Sequence, residues 1–240
     1  FEPLISGFKK IPFNDINIVK KNINEDTSAI MLEPIQGEGG INTAKLKFLD
    51  KVRNLCTKNK ILFFLDEVQT GFGRTGKLFA YEWANFEPDI IAAAKGIASG
   101  FPLGACLAKD KACIAMVKGT HGSTYGGNPL AVSIGIEVLK LLMKKNFLKQ
   151  VDANARYLWD QLQLFKNLYP EILEIRGAGF LLGIKTKSNN IIINKLLTKN
   201  GLLCIPAGDN VIRLAPPLII NKNEINEGLH LLEKTLKELS

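Results

Sequence analysis

Short apolar runs alternate with stretches of three-and-four spacing through the first half of the chain, and the alternation reads as strands and helices in turn. Residues 29 to 33, 61 to 65 and 90 to 94 are brief, rich in Ile, Leu, Phe and Ala, and bounded by polar or glycine-bearing turns. Runs of this kind predict strands buried on both faces of a parallel sheet. Between the first two, Thr43 to Lys58 sets Leu46, Leu49, Val52 and Cys56 on one stripe and predicts a helix. Strand, helix and parallel strand then form a right-handed crossover unit. Thr70 to Pro88 is a long glycine-bearing connection of the length that usually serves function or an interface. Residues 104 to 108 add a further short strand.

Asn128-Pro129 predicts a helix start, Asn as cap and Pro at the first helical position, with the helix running to about Lys145. Leu148, Val151, Ala155, Leu158, Leu162 and Phe165 predict a second helix. A domain boundary is expected near Asn146, separating residues 1–145 from a small α+β unit over 146–240. In that unit Ile172 to Ile175 and Phe180 to Ile184 read as strands around Gly177-Ala178-Gly179, and a helix stops at Gly201. Strands near Leu202 and Val211 precede a terminal helix with Ile225, Leu229, Leu232, Leu236 and Leu239 inward, opened by Asn221 and Glu224 at capping-box spacing.

Two charges stand at the carboxyl ends of apolar runs: Asp66 after Ile61–Leu65, and Lys95 after Ile90–Ala94. Open α/β sheets bind ligands outside the carboxyl ends of their strands, so both charges are expected to face one crevice. An amine beside a carboxylate suits pyridoxal phosphate, whose carbonyl a lysine captures and whose ring nitrogen a carboxylate keeps protonated. An ordinary pair of charges at strand ends is the alternative.

The surrounding wording decides between them. Glu33-Pro34-Ile35-Gln36-Gly37-Glu38-Gly39-Gly40, Leu65 to Gly76 (LDEVQTGFGRTG), Ala94-Lys95-Gly96, His121 to Pro129 (HGSTYGGNP) and Ile212 to Pro217 (IRLAPP) resemble, in order, the motifs of the class III aminotransferases. The resemblance covers essentially the whole chain and implies a fold type I, pyridoxal phosphate-dependent transferase: a mostly parallel α/β sheet, here partial, plus a small α+β C-terminal domain. It implies Lys95 as the cofactor-binding and proton-moving lysine, Asp66 as partner of the ring nitrogen and Gln69 as contact of the ring hydroxyl. Thr124 would meet the cofactor phosphate of the neighbouring subunit in a homodimer with shared active sites. Arg213 would grip a substrate carboxylate, with Glu38 pairing it when that carboxylate is absent, and Ser123 would line the substrate site.

Within the family the wording most resembles members acting on N-acetylornithine, with those acting on ornithine close behind and succinylornithine or 4-aminobutyrate as further alternatives. The expected partners are therefore a small-molecule amino donor and 2-oxoglutarate. The resemblance also implies that the chain begins partway through the family's sequence, beyond a glycine-rich phosphate loop and a ring-stacking aromatic, and that it is inactive alone.

Other readings attach to several of these residues. Thr124 and Ser123 lie among turn formers, Arg213 suits a permanent ion pair, and Glu67 and Arg74 suit a scaffold salt bridge or loop hydrogen bonds as well as catalysis. His121 reads as a loop hydrogen-bonder.

Composition changes this picture little. The net charge is +8, which invites a basic binding protein, yet arginine stands only at Arg53, Arg74, Arg156, Arg176 and Arg213 and the lysines are scattered. No basic run exceeds two residues and none is interleaved with aromatics, so no nucleic-acid partner is expected. No apolar stretch approaches the ~20 residues of a membrane span. Cys56, Cys106, Cys113 and Cys204 show neither metal spacing nor a secreted disulfide framework, and residues 1–4 do not read as a signal peptide, so a cytoplasmic protein with reduced thiols, no signal peptide and no metal is expected.

Overall fold

The computed structural model describes residues 2–239. Its first half builds from α1 (Ile16–Asn22), β1 (Ala29–Leu32), a hairpin of β2 (Ile35–Gln36) and β3 (Asn42–Thr43), α2 (Leu46–Asn59), β4 (Leu62–Asp66), β5 (Ile90–Ala93) and β6 (Ala105–Ala108). The short α3 (Asp110–Cys113) and α4 (Pro129–Leu142) follow. One sheet has the order β1-β4-β5-β6. The first three strands are parallel, with Leu32 beside Leu65 and Asp66 beside Ala92, so their carboxyl ends share one edge. β6 is antiparallel to β5. The 104–108 strand is therefore an antiparallel edge.

Burial is less complete than the apolar runs predict. Phe63 and Leu65 are buried against Val19, Phe48, Leu49, Val52 and Cys56 of α1 and α2, but Leu62 and Phe64 are only half-buried and Met31 is exposed. Helices α1 and α2 cover one face of β1 and β4, which leaves these strands with the alternation of a half-covered sheet. Helix α2 also starts later than Thr43, because Asn42 and Thr43 pair with β2 instead. Its cap comes from far along the chain: Asn14 accepts from the Lys45 amide at 2.9 Å and donates to the Thr43 carbonyl at 3.0 Å.

Asp89, just before β5, closes the sheet's opposite edge. Its buried carboxylate accepts from the Phe63 amide at 2.9 Å and from Arg53 at 2.7 Å, and pairs with Lys111 at 2.6 Å. Burial alone would raise its pKa, but the bonds to Lys111, Phe63 and Arg53 outweigh that and hold the carboxyl at about 2. A depressed carboxyl adds stability above its unfolded value, near 3.8, and loses it as pH falls through the folded one. Asp89→Asn is expected to cost about 2 kcal/mol in urea unfolding at neutral pH. Between about pH 4 and pH 2 the native protein should lose stability more steeply than the variant. Equal acid limbs would show that Asp89 is not linked to folding.

The second half comprises α5 (Phe147–Leu168), β7 (Ile172–Ala178), β8 (Leu181–Thr186), α6 (Asn190–Lys199), β9 (Ile205–Ala207), β10 (Val211–Leu214) and α7 (Lys222–Glu238). Its sheet has the order β7-β8-β10-β9, all antiparallel. Val151, Ala155, Leu158 and Leu162 of α5 and Ile225, Leu229, Leu232 and Leu236 of α7 pack on it with Phe180, Leu182 and Ile184. The capping box of Asn221 and Glu224 forms as spaced. The strand expected near Leu202 begins only at Ile205, because Gly201, at φ +95°, turns the chain and Leu202 packs inward as its amide closes the end of α6 on the Leu197 carbonyl.

Several contacts bind the halves, two of them at Arg74 and Ile41. Arg74 donates to the Phe180 and Pro216 carbonyls. Ile41, fully buried with Ile35, Leu181 and Val211, plugs into the second sheet. That close approach needs glycine beneath it: a Cβ on Gly183 or Gly177 would lie 2.9 or 3.0 Å from Ile41.

Candidate active site

The shared carboxyl edge of β1, β4 and β5 delivers Glu33, Asp66 and Lys95 to one place. Lys95 opens a 3-10 turn (Lys95–Ala98) with φ +47°, in the left-handed region that a side-chain-bearing residue enters at a cost of roughly 1–3 kcal/mol. Buried Ile97 and Ala98 pin the turn, and Gly96 admits Phe72, whose Cβ would stand 3.2 Å from an added Cβ. The Lys95 amine is exposed and makes no hydrogen bond or ion pair among the described residues. Half-buried Asp66 commits one oxygen to the Val68 amide at 3.0 Å.

Glu33 was missed by the sequence reading as a site residue. It follows Leu32 as Asp66 follows Leu65, so the parallel register sets the two carboxylates side by side. The Glu33 carboxylate accepts from the Gly37 amide at 3.2 Å. Burial raises its pKa, the negative field of Asp66 adds to this, and the Gly37 bond and the charge of Lys95 oppose it. The available signal was its position at a strand end next to Asp66.

A second cluster adjoins. Arg213, on β10 with its side chain 10% exposed, donates to Glu38 at 2.7 Å and to Gln69 at 3.2 Å. Gln69 donates to Glu38 at 3.3 Å. The Arg213 guanidinium holds the Glu38 carboxyl below the ordinary carboxylate value. Gly37 lets this cluster close, since a Cβ there would stand 2.3 Å from the Gln69 side-chain oxygen.

Ser123 and Thr124 stand apart, in an exposed loop ahead of α4 where Ser123 Oγ accepts from the Gly126 amide at 2.9 Å. No hydrogen bond or ion pair among the described residues joins them to Lys95, Asp66 or Arg213. His121 shares that exposed loop. Glu67 and Arg74 form no salt bridge among the described residues. Buried Glu67 accepts from Thr70 and from the Ala80 and Tyr81 amides at 2.9 Å each, bracing the long 67–89 connection, and Arg74 binds carbonyls only.

The donor set fits pyridoxal phosphate on two points. Lys95 presents an unpaired amine for a carbonyl, and Asp66 keeps an oxygen for a protonated ring nitrogen. The arginine and its exposed carboxylate partner add a site for an acid group.

The family model for class III aminotransferases matches residues 6–236. Acetylornithine aminotransferase of Mesorhizobium japonicum is 45% identical, covering 100% of this chain and 60% of that protein. The enzyme of the same name from Clostridium acetobutylicum is 44% identical over 99% of this chain and 62% of that protein. The chain thus spans about three-fifths of the length of these curated relatives. Among solved structures, ornithine aminotransferase from Toxoplasma gondii, which holds pyridoxal phosphate at partial occupancy, superposes with a TM-score of 0.93 at 32% identity, covering 99% of this chain and 57% of that one. N-acetylornithine aminotransferase from Stenotrophomonas maltophilia K279a gives 0.89 at 35% identity, with 97% and 63% covered. The five motifs, the shared strand edge that carries Asp66 and Lys95, and a family match running nearly end to end agree, and this chain belongs to the class III aminotransferase family.

Proposed function

We propose that this chain carries the reactive centre of an aminotransferase that moves the ω-amino group of N-acetylornithine to 2-oxoglutarate, giving N-acetylglutamate 5-semialdehyde and glutamate, a step of arginine biosynthesis in the cytoplasm. The observation that carries the reading is Lys95, held in a left-handed turn at the strand edge beside Asp66 with its amine unpaired. Pyridoxal phosphate, when bound, supplies a carbonyl for the amine and an electron-withdrawing ring. Lys95 anchors it and, once displaced by substrate, carries the proton to and from the substrate's reacting carbon. Asp66 holds the ring nitrogen's proton, and Gln69, oriented by Arg213 and Glu38, offers its remaining N–H to the ring hydroxyl.

Arg213 receives the α-carboxylate of glutamate or 2-oxoglutarate through paired N–H donors. Glu38 masks Arg213 while the ω-amino donor reacts, since that donor has no carboxylate beside its reacting carbon, and swings out when a carboxylate competes. Its side chain is 71% exposed, so this movement crosses no packed core.

Ser123 and Thr124 serve the neighbouring subunit of a homodimer, Thr124 at the cofactor phosphate. Support lies in their separation from Lys95 and in the exposed apolar residues of the adjoining α4, Leu130, Ile136, Leu139 and Leu141, a patch of the kind an interface covers. No helix among the described residues is long and apolar enough to cross a membrane, and all four cysteines are free.

One observation favours ornithine as donor: solved ornithine aminotransferases superpose at 0.90 to 0.93, slightly above the 0.89 of two acetylornithine enzymes. The curated relatives point the other way, since acetylornithine aminotransferases are 42–46% identical, while among solved structures the two groups overlap at 31–36% and 32–35%. Turnover of the two amines side by side with 2-oxoglutarate by a full-length protein that carries this chain decides, and kcat/KM is expected to favour N-acetylornithine by about tenfold or more. Equal values, or a preference for ornithine, would move the protein to the second reading.

A further inference from the structure

We propose that Arg176, held by Asp209, is a positioning residue for Glu38 and thereby sets how readily the site admits a substrate bearing a carboxylate beside its reacting carbon. The proposal rests on Glu38 and Arg213 acting as a gate. Glu38 itself has a long, exposed side chain, so what aims its carboxylate at Arg213 is the backbone of residues 37–42. That backbone is fastened to the second sheet. The Gly208 amide donates to the Glu38 carbonyl at 2.8 Å, and Arg176 donates to the Gly40 carbonyl and to Asn42 Oδ1, each at 3.2 Å.

Arg176 is in turn fixed. Its side chain is 14% exposed, paired to Asp209 at 2.7 Å and to Glu174 at 2.8 Å, and Lys185 holds the other oxygen of Asp209 at 2.8 Å. Asp209 directly follows Gly208, so one ion pair orients both the guanidinium on Gly40 and the amide on Glu38. The fit is tight: a Cβ on Gly40 would lie 2.5 Å from the Gly208 carbonyl oxygen. None of these groups touches Lys95 or Asp66, and Arg176 makes no contact with Arg213 or Gln69 among the hydrogen bonds and ion pairs of the described residues.

Two charges at a partly exposed site pair well only when their presentation is prepaid by the scaffold, because an exposed pair otherwise gains little over solvent. Loosening residues 37–42 therefore lowers the masked fraction of Arg213. The apparent affinity for a competing carboxylate rises with the open fraction.

The test is glutarate binding to the cofactor-free protein, followed by NMR at low ionic strength in the native chain, Glu38→Gln, Arg176→Met, Asp209→Asn and the double variant Arg176→Met with Glu38→Gln. Asn tolerates the left-handed backbone of residue 209, at φ +53°, so Asp209→Asn reports on the pair even where Arg176→Met folds poorly. Glu38→Gln is expected to tighten glutarate about tenfold, and Arg176→Met and Asp209→Asn roughly threefold each. On the Glu38→Gln background Arg176→Met should add nothing. If Glu38→Gln tightens binding while both other single variants leave it unchanged or weaker, Arg176 does not position Glu38 and the gate stands without it. Tightening by Arg176→Met that persists on the Glu38→Gln background means that it acts elsewhere, which also overturns the proposal. If Glu38→Gln changes nothing, the gate itself fails and takes this inference with it.

Discussion

Lys95→Ala is expected to abolish covalent capture of pyridoxal phosphate outright. Borohydride reduction of the loaded native protein, followed by peptide mapping, should place the label on Lys95, and the variant should carry none. The expectation follows from geometry, because Lys95 lies at the carboxyl edge of the first sheet beside Asp66 and its turn is fixed by buried Ile97 and Ala98. A surface lysine such as Lys140, paired to Glu137 at 2.7 Å on an outer helix face, has neither feature. In a full-length protein that carries this chain, turnover should fall by roughly three orders of magnitude or more, since one group supplies both attachment and proton transfer. A label found on another lysine of the native protein would remove Lys95 from the centre of the site.

The parts of the fold that could be read from sequence are those whose signals are local. Asn128-Pro129 opens α4 with the Asn128 side chain accepting from the Ala131 amide at 2.9 Å, and Asn221 and Glu224 cap α7 reciprocally. Strand ends at Asp66 and Ala93 fell within a residue of where the apolar runs placed them. What was misread or left open depends on partners remote in the chain. The start of α2 waits on Asn14, thirty-one residues before the amide it caps, and the direction of β6, which the 104 to 108 reading left open, is set by its return along β5. A continuous apolar run states that a strand can be buried on both faces, and only the placement of α1 and α2 states that one face is packed.

The site divides along similar lines. Lys95 and Asp66 were singled out at strand ends and Gln69, Glu38 and Arg213 by motif, and the fold brings the last three within hydrogen-bond reach although Glu38 and Arg213 stand 175 residues apart. Glu33 escaped because its significance lies in a register, Leu32 beside Leu65, rather than in its neighbours along the chain. Ser123 and Thr124 lie in an exposed loop whose hydrogen bonds are local, Gly126 to Ser123 and Asn128 to Tyr125, which suits the turn chemistry of its residues.

Arg213→Ala is expected to split the reaction unevenly, and Glu38→Ala to split it the other way. With its side chain 10% exposed, Arg213 faces a substrate carboxylate in a partly desolvated site, where removing one partner of a charge pair costs about 2–5 kcal/mol. That predicts a loss of roughly two to three orders of magnitude in the half-reaction with glutamate or 2-oxoglutarate. The half-reaction with N-acetylornithine, which presents no carboxylate beside its reacting carbon, should change by less than about tenfold. Glu38→Ala uncovers Arg213 permanently. Because the mask is 71% exposed and its pair with Arg213 is therefore worth only about 1 kcal/mol, the gain should be about fivefold for glutamate relative to N-acetylornithine. Single-turnover absorbance changes with each substrate alone separate the halves, so the two ratios are read without steady-state mixing. Opposite displacement of those ratios establishes the gate. A Glu38→Ala protein whose ratio matches the native one would leave Glu38 as a brace for Arg213, and an Arg213→Ala protein slowed equally in both halves would mean that the arginine supports the scaffold rather than the substrate.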